Sequence, residues 1–124
     1  MSANSVVWFE IYVHDMPRAK KFYEAVFQRE IKQLNTPVPG LEMWQFEGDQ
    51  NSYGTGGALV KMQGVPSGGN STLVYFACQD CAVEAERVVK NGGSICKPKM
   101  SIGQYGFIVL VNDTEGNMIG LHSM

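Results

Sequence analysis

The stretch VVWFEIYVHDMPRAKKFYEAVF, residues 6–27, contains the change of period that decides the fold. Val7, Phe9, Ile11 and Val13 share one face of a period-two strand, and Trp8, Glu10 and Tyr12 share the other. At Asp15 the pattern changes. Its carboxylate suits a helix N-cap, and Pro17 suits the first helical turn, where a missing N–H costs nothing. Ala19, Phe22, Tyr23, Val26 and Phe27 then recur at helical spacing. That stripe is expected to pack on the odd-numbered face of the strand. The even-numbered face is left with an indole, a carboxylate and a phenol, and no helix to cover them.

Working outward, NTPVPG (35–40) breaks the pattern, and LEMWQFE (41–47) alternates as a strand. DQNSYGTGG (49–57) turns, and GALVKM (57–62) forms a further short strand. GVPSGGN (64–70) has the composition of a linker. After it, STLVYFACQDCAVEAERVVKNGG (71–93) repeats the opening plan at an offset of about 65 positions. Val74, Phe76 and Cys78 take the places of Phe9, Ile11 and Val13, and Asp80 takes that of Asp15. Cys81, Ala85, Val88 and Val89 supply the stripe, and Gly92 or Gly93 can end the helix in a left-handed turn. SICKP, YGFIVLV and NMIGLHS follow as strands, with NDTEGN as the turn before the last.

The fold class expected is α+β. Two tandem βαβββ modules, about 5–63 and about 71–124 with the linker 64–70 between, form a single domain over 1–124. Two sheets curved by their twist, with helices outside, would enclose a groove lined by the even-numbered residues of the first strand. Trp8, Tyr12 and Trp44 would otherwise lie bare.

Composition excludes several classes. The net charge of −2 gives no electrostatic footprint for nucleic acid or for an anionic membrane. No apolar run approaches the roughly 20 residues that span a bilayer. MSANSVVWFE lacks the basic start and apolar segment of a secretory signal, so a bacterial-type cytoplasmic location is expected. Cys78 and Cys81 have C-x-x-C spacing, but no second ligand pair completes a zinc site. Redox chemistry and structural thiols remain. Structural thiols are favoured, because Val13 and Met16 stand at the same places in the first half.

HDMPRAKKFYEAVF near the start and DTEGNMIGLHS at the end resemble the vicinal oxygen chelate superfamily, which includes glyoxalase I, the bleomycin-resistance proteins and the extradiol dioxygenases. The resemblance runs from about Val6 to Ser123 and is nearest to short glyoxalase-related proteins. It implies a U-shaped barrel of mixed sheet, completed or duplicated in a homodimer. Metal-dependent members hold a divalent ion with side chains from the first and last strands of each module. The first-strand positions, seven before each helix-capping Asp, carry over to Trp8 and Leu73. The last-strand positions fall on Gly120 and near Ala58. Indole, isobutyl, hydrogen and methyl cannot coordinate a cation. No metal or other cofactor is therefore expected, and neither is a standard metal-dependent glyoxalase or dioxygenase.

The groove would instead offer Trp8, Tyr12, Trp44, Tyr75 and Met118 to a planar or amphipathic ligand, the aromatic residues having core or interface packing as their plainer role. Glu10 accepts hydrogen bonds there or pairs with a cation at the mouth. His122 lies two residues past Gly120 on the same face, and both it and Glu10 are displaced in one direction from lost ligand positions. They could meet as an acid–base or binding pair, although a lone His near a C-terminus more often sits at a surface or dimer contact. His14 points away. Gly54, Gly56 and Gly57 precede no helix and so form no phosphate loop; they read as a flexible loop over the groove mouth or a bent strand edge, with SIGQYG as the matching part of the second half. The first reading is a small-molecule-binding protein. The alternative is a lyase or isomerase related to lactoylglutathione lyase, with Glu10 as base and His122 orienting the substrate. A third makes the groove a dimer seam.

Overall fold

The computed structural model describes residues 4–124 apart from 37 and 50. Met1, Ser2, Ala3, Pro37 and Gln50, which enter the N-terminal and loop readings above, lie outside the described residues. The first module runs β1 (Trp8–Tyr12), α1 (Met16–Phe27), β2 (Ile31–Leu34), β3 (Leu41–Phe46) and β4 (Gly56–Met62). The second runs β5 (Tyr75–Ala77), α2 (Cys81–Lys90), β6 (Ser94–Ser101), β7 (Phe107–Asn112) and β8 (Met118–Ser123). Each module makes a four-stranded mixed sheet, ordered β1-β4-β3-β2 and β5-β8-β7-β6. The first strand is parallel to the last, and the remaining pairs are antiparallel. This is the α+β, twofold βαβββ plan. Among the described residues no strand of one sheet pairs with the other, so the sheets do not close into a hydrogen-bonded barrel.

The helices start where the carboxylates predict. Asp15 accepts from the Arg18 amide at 3.1 Å, and Asp80 accepts from the Ala82 amide at 3.1 Å. α1 ends on Gln28 in the left-handed region (φ 54°), a position more often given to glycine. α2 ends on Asn91, followed by Gly92 at φ 96°. Met16, Ala19, Phe22, Tyr23 and Val26 of α1, with Cys81, Ala85 and Val88 of α2, are buried against the sheets. Full burial of each large side chain contributes about 1.5–3 kcal/mol.

One aromatic cluster joins the two halves. Phe76 of β5 stacks on Phe27 of α1 at 4.4 Å and meets Phe9 of β1 edge-on at 5.9 Å. Phe46 and Tyr23 pack around them. β1 and β5 therefore lie beside one another at the junction, which sets their helix-free faces next to each other. β2 is the strand that was not picked out from sequence. IKQL shows no alternation, and it is pairing with β3 that turns Ile31 into the core.

Candidate functional site: the helix-free face

Trp8, Glu10 and Tyr12 share the helix-free face of β1, and strand pairing sets Gly56, Ala58 and Val60 of β4 beside them. Glu10 is gripped from both sides. Its Oε2 accepts from the Trp8 indole N–H at 3.2 Å, and its Oε1 accepts from the Tyr12 hydroxyl at 3.0 Å. Spacing of i±2 on one strand makes this ladder possible without any contribution from elsewhere. Burial raises the Tyr12 phenol above its usual value, and the hydrogen bond to Glu10 and its charge add to this. Glu10 forms no ion pair among the described residues. Trp8 remains 37% exposed.

In the second module the same face carries Tyr75, Met118, Gly120 and His122. Tyr75 is the partner of Gly120 across the parallel pair, and its ring covers that glycine so closely that a Cβ there would sit 2.3 Å from it. His122 Nε2 lies 2.7 Å from the Tyr105 carbonyl, in the short 3₁₀ turn Gly103–Tyr105. A carbonyl only accepts, so Nε2 carries the hydrogen in this contact. Glu10 and His122 make no hydrogen bond or ion pair with each other. Each is engaged by its own module.

Trp44 is not on this face. β3 pairs Trp44 with Leu59 of β4, which is fully buried on the helix side, and turns Met43 and Gln45 outward instead. The Trp44 indole N–H donates to Glu42 at 2.8 Å, and Lys20 of α1 sits 5.0 Å from its ring. Alternation within LEMWQFE fixes two faces but not which of them meets a helix. Register with β4 decides that.

The carried-over metal positions can also be placed. Trp8 donates to Glu10, Ala58 is fully buried, Leu73 is 37% exposed just before β5, and Gly120 lies under Tyr75. Among the described residues no three or more His, Cys, Asp or Glu side chains converge as a metal site would need.

The DTEGN turn carries most of the buried polar side chains among the described residues. Glu115 of DTEGN, with a side chain entirely buried, accepts from the His14 and Asp15 amides at 3.0 and 2.9 Å. It also receives Arg18 through Nε at 2.6 Å and Nη2 at 3.0 Å. Burial alone would raise this carboxyl; the Arg18 guanidinium and the amide and Thr114 donors outweigh it and hold it down at about 2. Asp113 accepts from the Tyr23 hydroxyl at 2.7 Å, and Asn117 donates to the Tyr12 carbonyl at 2.9 Å. The turn thus fixes the end of β1 and the start of α1, immediately behind the Glu10 ladder.

All three cysteines are free thiols. Burial, with the charge of Glu84, pushes the Cys78 thiol up to about 12, leaving no thiolate at neutral pH. Cys81 is buried under α2, where Met16 lies under α1. The helix-free face is open rather than enclosed. Hollows of about 520 Å³ lie away from it, one between Arg18, Lys21 and Lys90 and another around His14, Lys61 and Pro66. No helix among the described residues is long and apolar enough to cross a membrane.

Comparison with known proteins places this geometry. The profile of the Glyoxalase/Bleomycin resistance protein/Dioxygenase superfamily matches residues 5–121. "Putative glyoxylase CFP32" of Mycobacterium bovis is 28% identical over 121 residues, covering 92% of this chain and 43% of that protein, so the chain spans less than half of that relative's length. Glyoxalase I from Zea mays superposes with a TM-score of 0.73 at 19% identity, over 94% of this chain and 44% of the maize chain. A glyoxalase/bleomycin resistance protein from Albidiferax ferrireducens superposes with a TM-score of 0.69 at 19% identity, over 98% of this chain and 99% of its own. The chain belongs to the glyoxalase/bleomycin resistance protein/dioxygenase superfamily.

Proposed function

We propose that this chain binds a small organic molecule on its helix-free face, works without the superfamily's divalent ion, and does so as a homodimer whose second copy walls the open groove. The observation that carries the reading is the Glu10 carboxylate held between Trp8 and Tyr12 on an exposed face. The aromatic pairs found among the described residues involve Phe9, Phe22, Tyr23, Phe27, Phe46 and Phe76, on the helix side. Trp8, Tyr12 and Tyr75 take part in none of them. Core rings are satisfied by one another, whereas these three offer apolar area and a fixed polar centre, as ligand sites do.

The residues present do not fit a divalent ion. A carboxylate at Gly120 would have to occupy the space of the Tyr75 ring, and the indole at Trp8 has its only polar hydrogen committed to Glu10. The alternative, a lyase or isomerase with Glu10 as base and His122 orienting the substrate, is less favoured, because Glu10 and His122 are each engaged within their own module. A panel of planar compounds followed by tryptophan fluorescence tests the binding reading. Saturable quenching that is lost in Trp8→Phe supports it. No response to any compound, with Trp8 protected by a second copy, replaces it with a dimer seam. Turnover of methylglyoxal–glutathione hemithioacetal would establish the enzyme instead; none is expected.

A further inference from the structure

We infer that the helix-free face selects an organic cation, a protonated amine, amidinium or guanidinium carried on a planar body; this rests on the ligand-binding reading above and names its class of ligand. Three observations converge on it.

The first is charge without a partner. Of the surface carboxylates, Asp80 has Lys99 at 3.0 Å, Glu24 has Lys20 at 3.1 Å and Glu30 has Lys32 at 3.4 Å. Glu10 has none among the described residues, as is also true of the exposed Glu47, Asp49 and Glu86, but Glu10 differs from them in being held between two aromatic donors. The Trp8 and Tyr12 donors fix the plane of the carboxylate while leaving a lone pair on each oxygen. A pre-oriented carboxylate of this kind suits a forked N–H donor.

The second is the sign of the other polar groups. His122 has its Nε2–H committed to the Tyr105 carbonyl, so that hydrogen is not offered to an anion. The cations that register places on this face stand on the outer strands: Lys32 on β2, three strands from β1 and paired with Glu30, and Lys97 on β6, three strands from β5, each about 14 Å off at ordinary strand spacing. An anionic ligand centred on Glu10 would find repulsion and no adjacent counter-charge. A cationic one would find the Glu10 oxygens.

The third is the posture of the rings. Trp8 lies against Gly56 with a would-be Cβ 3.5 Å from its ring, and Tyr75 covers Gly120. With no side chain on the paired strand position, each ring can lie down on its sheet and leave its outer π-face to a visitor. Tyr75 is 47% exposed, and neither ring is stacked on another. A flat ring beside a carboxylate is the arrangement that holds organic cations.

The test uses the full chain labelled with nitrogen-15 and three isosteric probes: 2-naphthamidine, 2-naphthamide and 2-naphthoate. The readout is the indole N–H resonance of Trp8, assigned against Trp8→Phe. Naphthamidine is expected to bind about ten-fold more tightly than naphthamide, with naphthoate weakest, from a partly desolvated ion pair plus cation–π attraction. Glu10→Gln, which keeps an oxygen for one donor, is expected to erase the preference while leaving the spectrum folded. If all three probes bind alike, charge selection is overturned although the groove reading stands. If none moves the Trp8 resonance, the groove reading falls together with the inference.

Discussion

The loop between the third and fourth strands occurs once in each module, and the two copies have opposite characters. In the first module, the bonds of this loop among the described residues are local: Asp49 accepts from the Asn51 amide at 2.8 Å and the Ser52 hydroxyl at 3.2 Å, and Tyr53 is 99% exposed. In the second, Asp113, Glu115 and Asn117 are buried and reach across to Tyr23, Arg18 and Tyr12 of the first. The repeat therefore keeps its helix caps and apolar stripes, but its polar connections run one way. Module two grips module one at the point where β1 hands over to α1, the point from which the Glu10 ladder is positioned.

The largest effect expected from this asymmetry is on Glu115→Ala. It leaves the His14 and Asp15 amides without their acceptor and unpairs Arg18, at a cost of about 3 kcal/mol, read as a fall in melting temperature of roughly 10 °C. A loss under about 1 kcal/mol would mean that the turn is no clasp. The acid limb of stability should show the same group. Its folded pKa lies below its unfolded one, so its contribution is complete above about pH 4.5 and is lost as pH falls toward about 2. Denaturant melts of Glu115→Gln against the parent are expected to differ most near neutrality and to converge in acid. Tyr23→Phe removes one buried donor to Asp113 and should cost about 1–2 kcal/mol by the same melts. Smallest of all, Asp49→Ala in the other loop should stay within about 0.5 kcal/mol of the parent. If it matched Glu115→Ala, the contrast between the two loops would disappear.

Much of this architecture could be read from the chain. The switch of period at Asp15 and its echo at Asp80 located both helices, because caps and stripes are local signals. Trp8, Glu10 and Tyr12 were placed together for the same reason, since neighbours at i±2 on a strand need no tertiary knowledge. What failed was long-range. The parity of Trp44 depends on register with β4, β2 owes its existence to β3, and the partners of Glu115 are about 100 positions away. His122 lay on the correct face, yet its bond to Tyr105 belongs to a loop whose path no pattern fixes. DTEGN was recognisable as a turn, but nothing in those five letters says that it faces inward.

The measurement that bears most directly on the helix-free face is a manganese titration of the nitrogen-15-labelled chain, following paramagnetic broadening residue by residue. With an indole at Trp8, Tyr75 laid across Gly120 and no converging ligands among the described residues, the resonances of the Trp8 indole and of the Leu73 and Gly120 amides should keep their intensity at equimolar manganese. Selective, saturable loss of those signals at one ion per chain would show a seated metal and contradict the account.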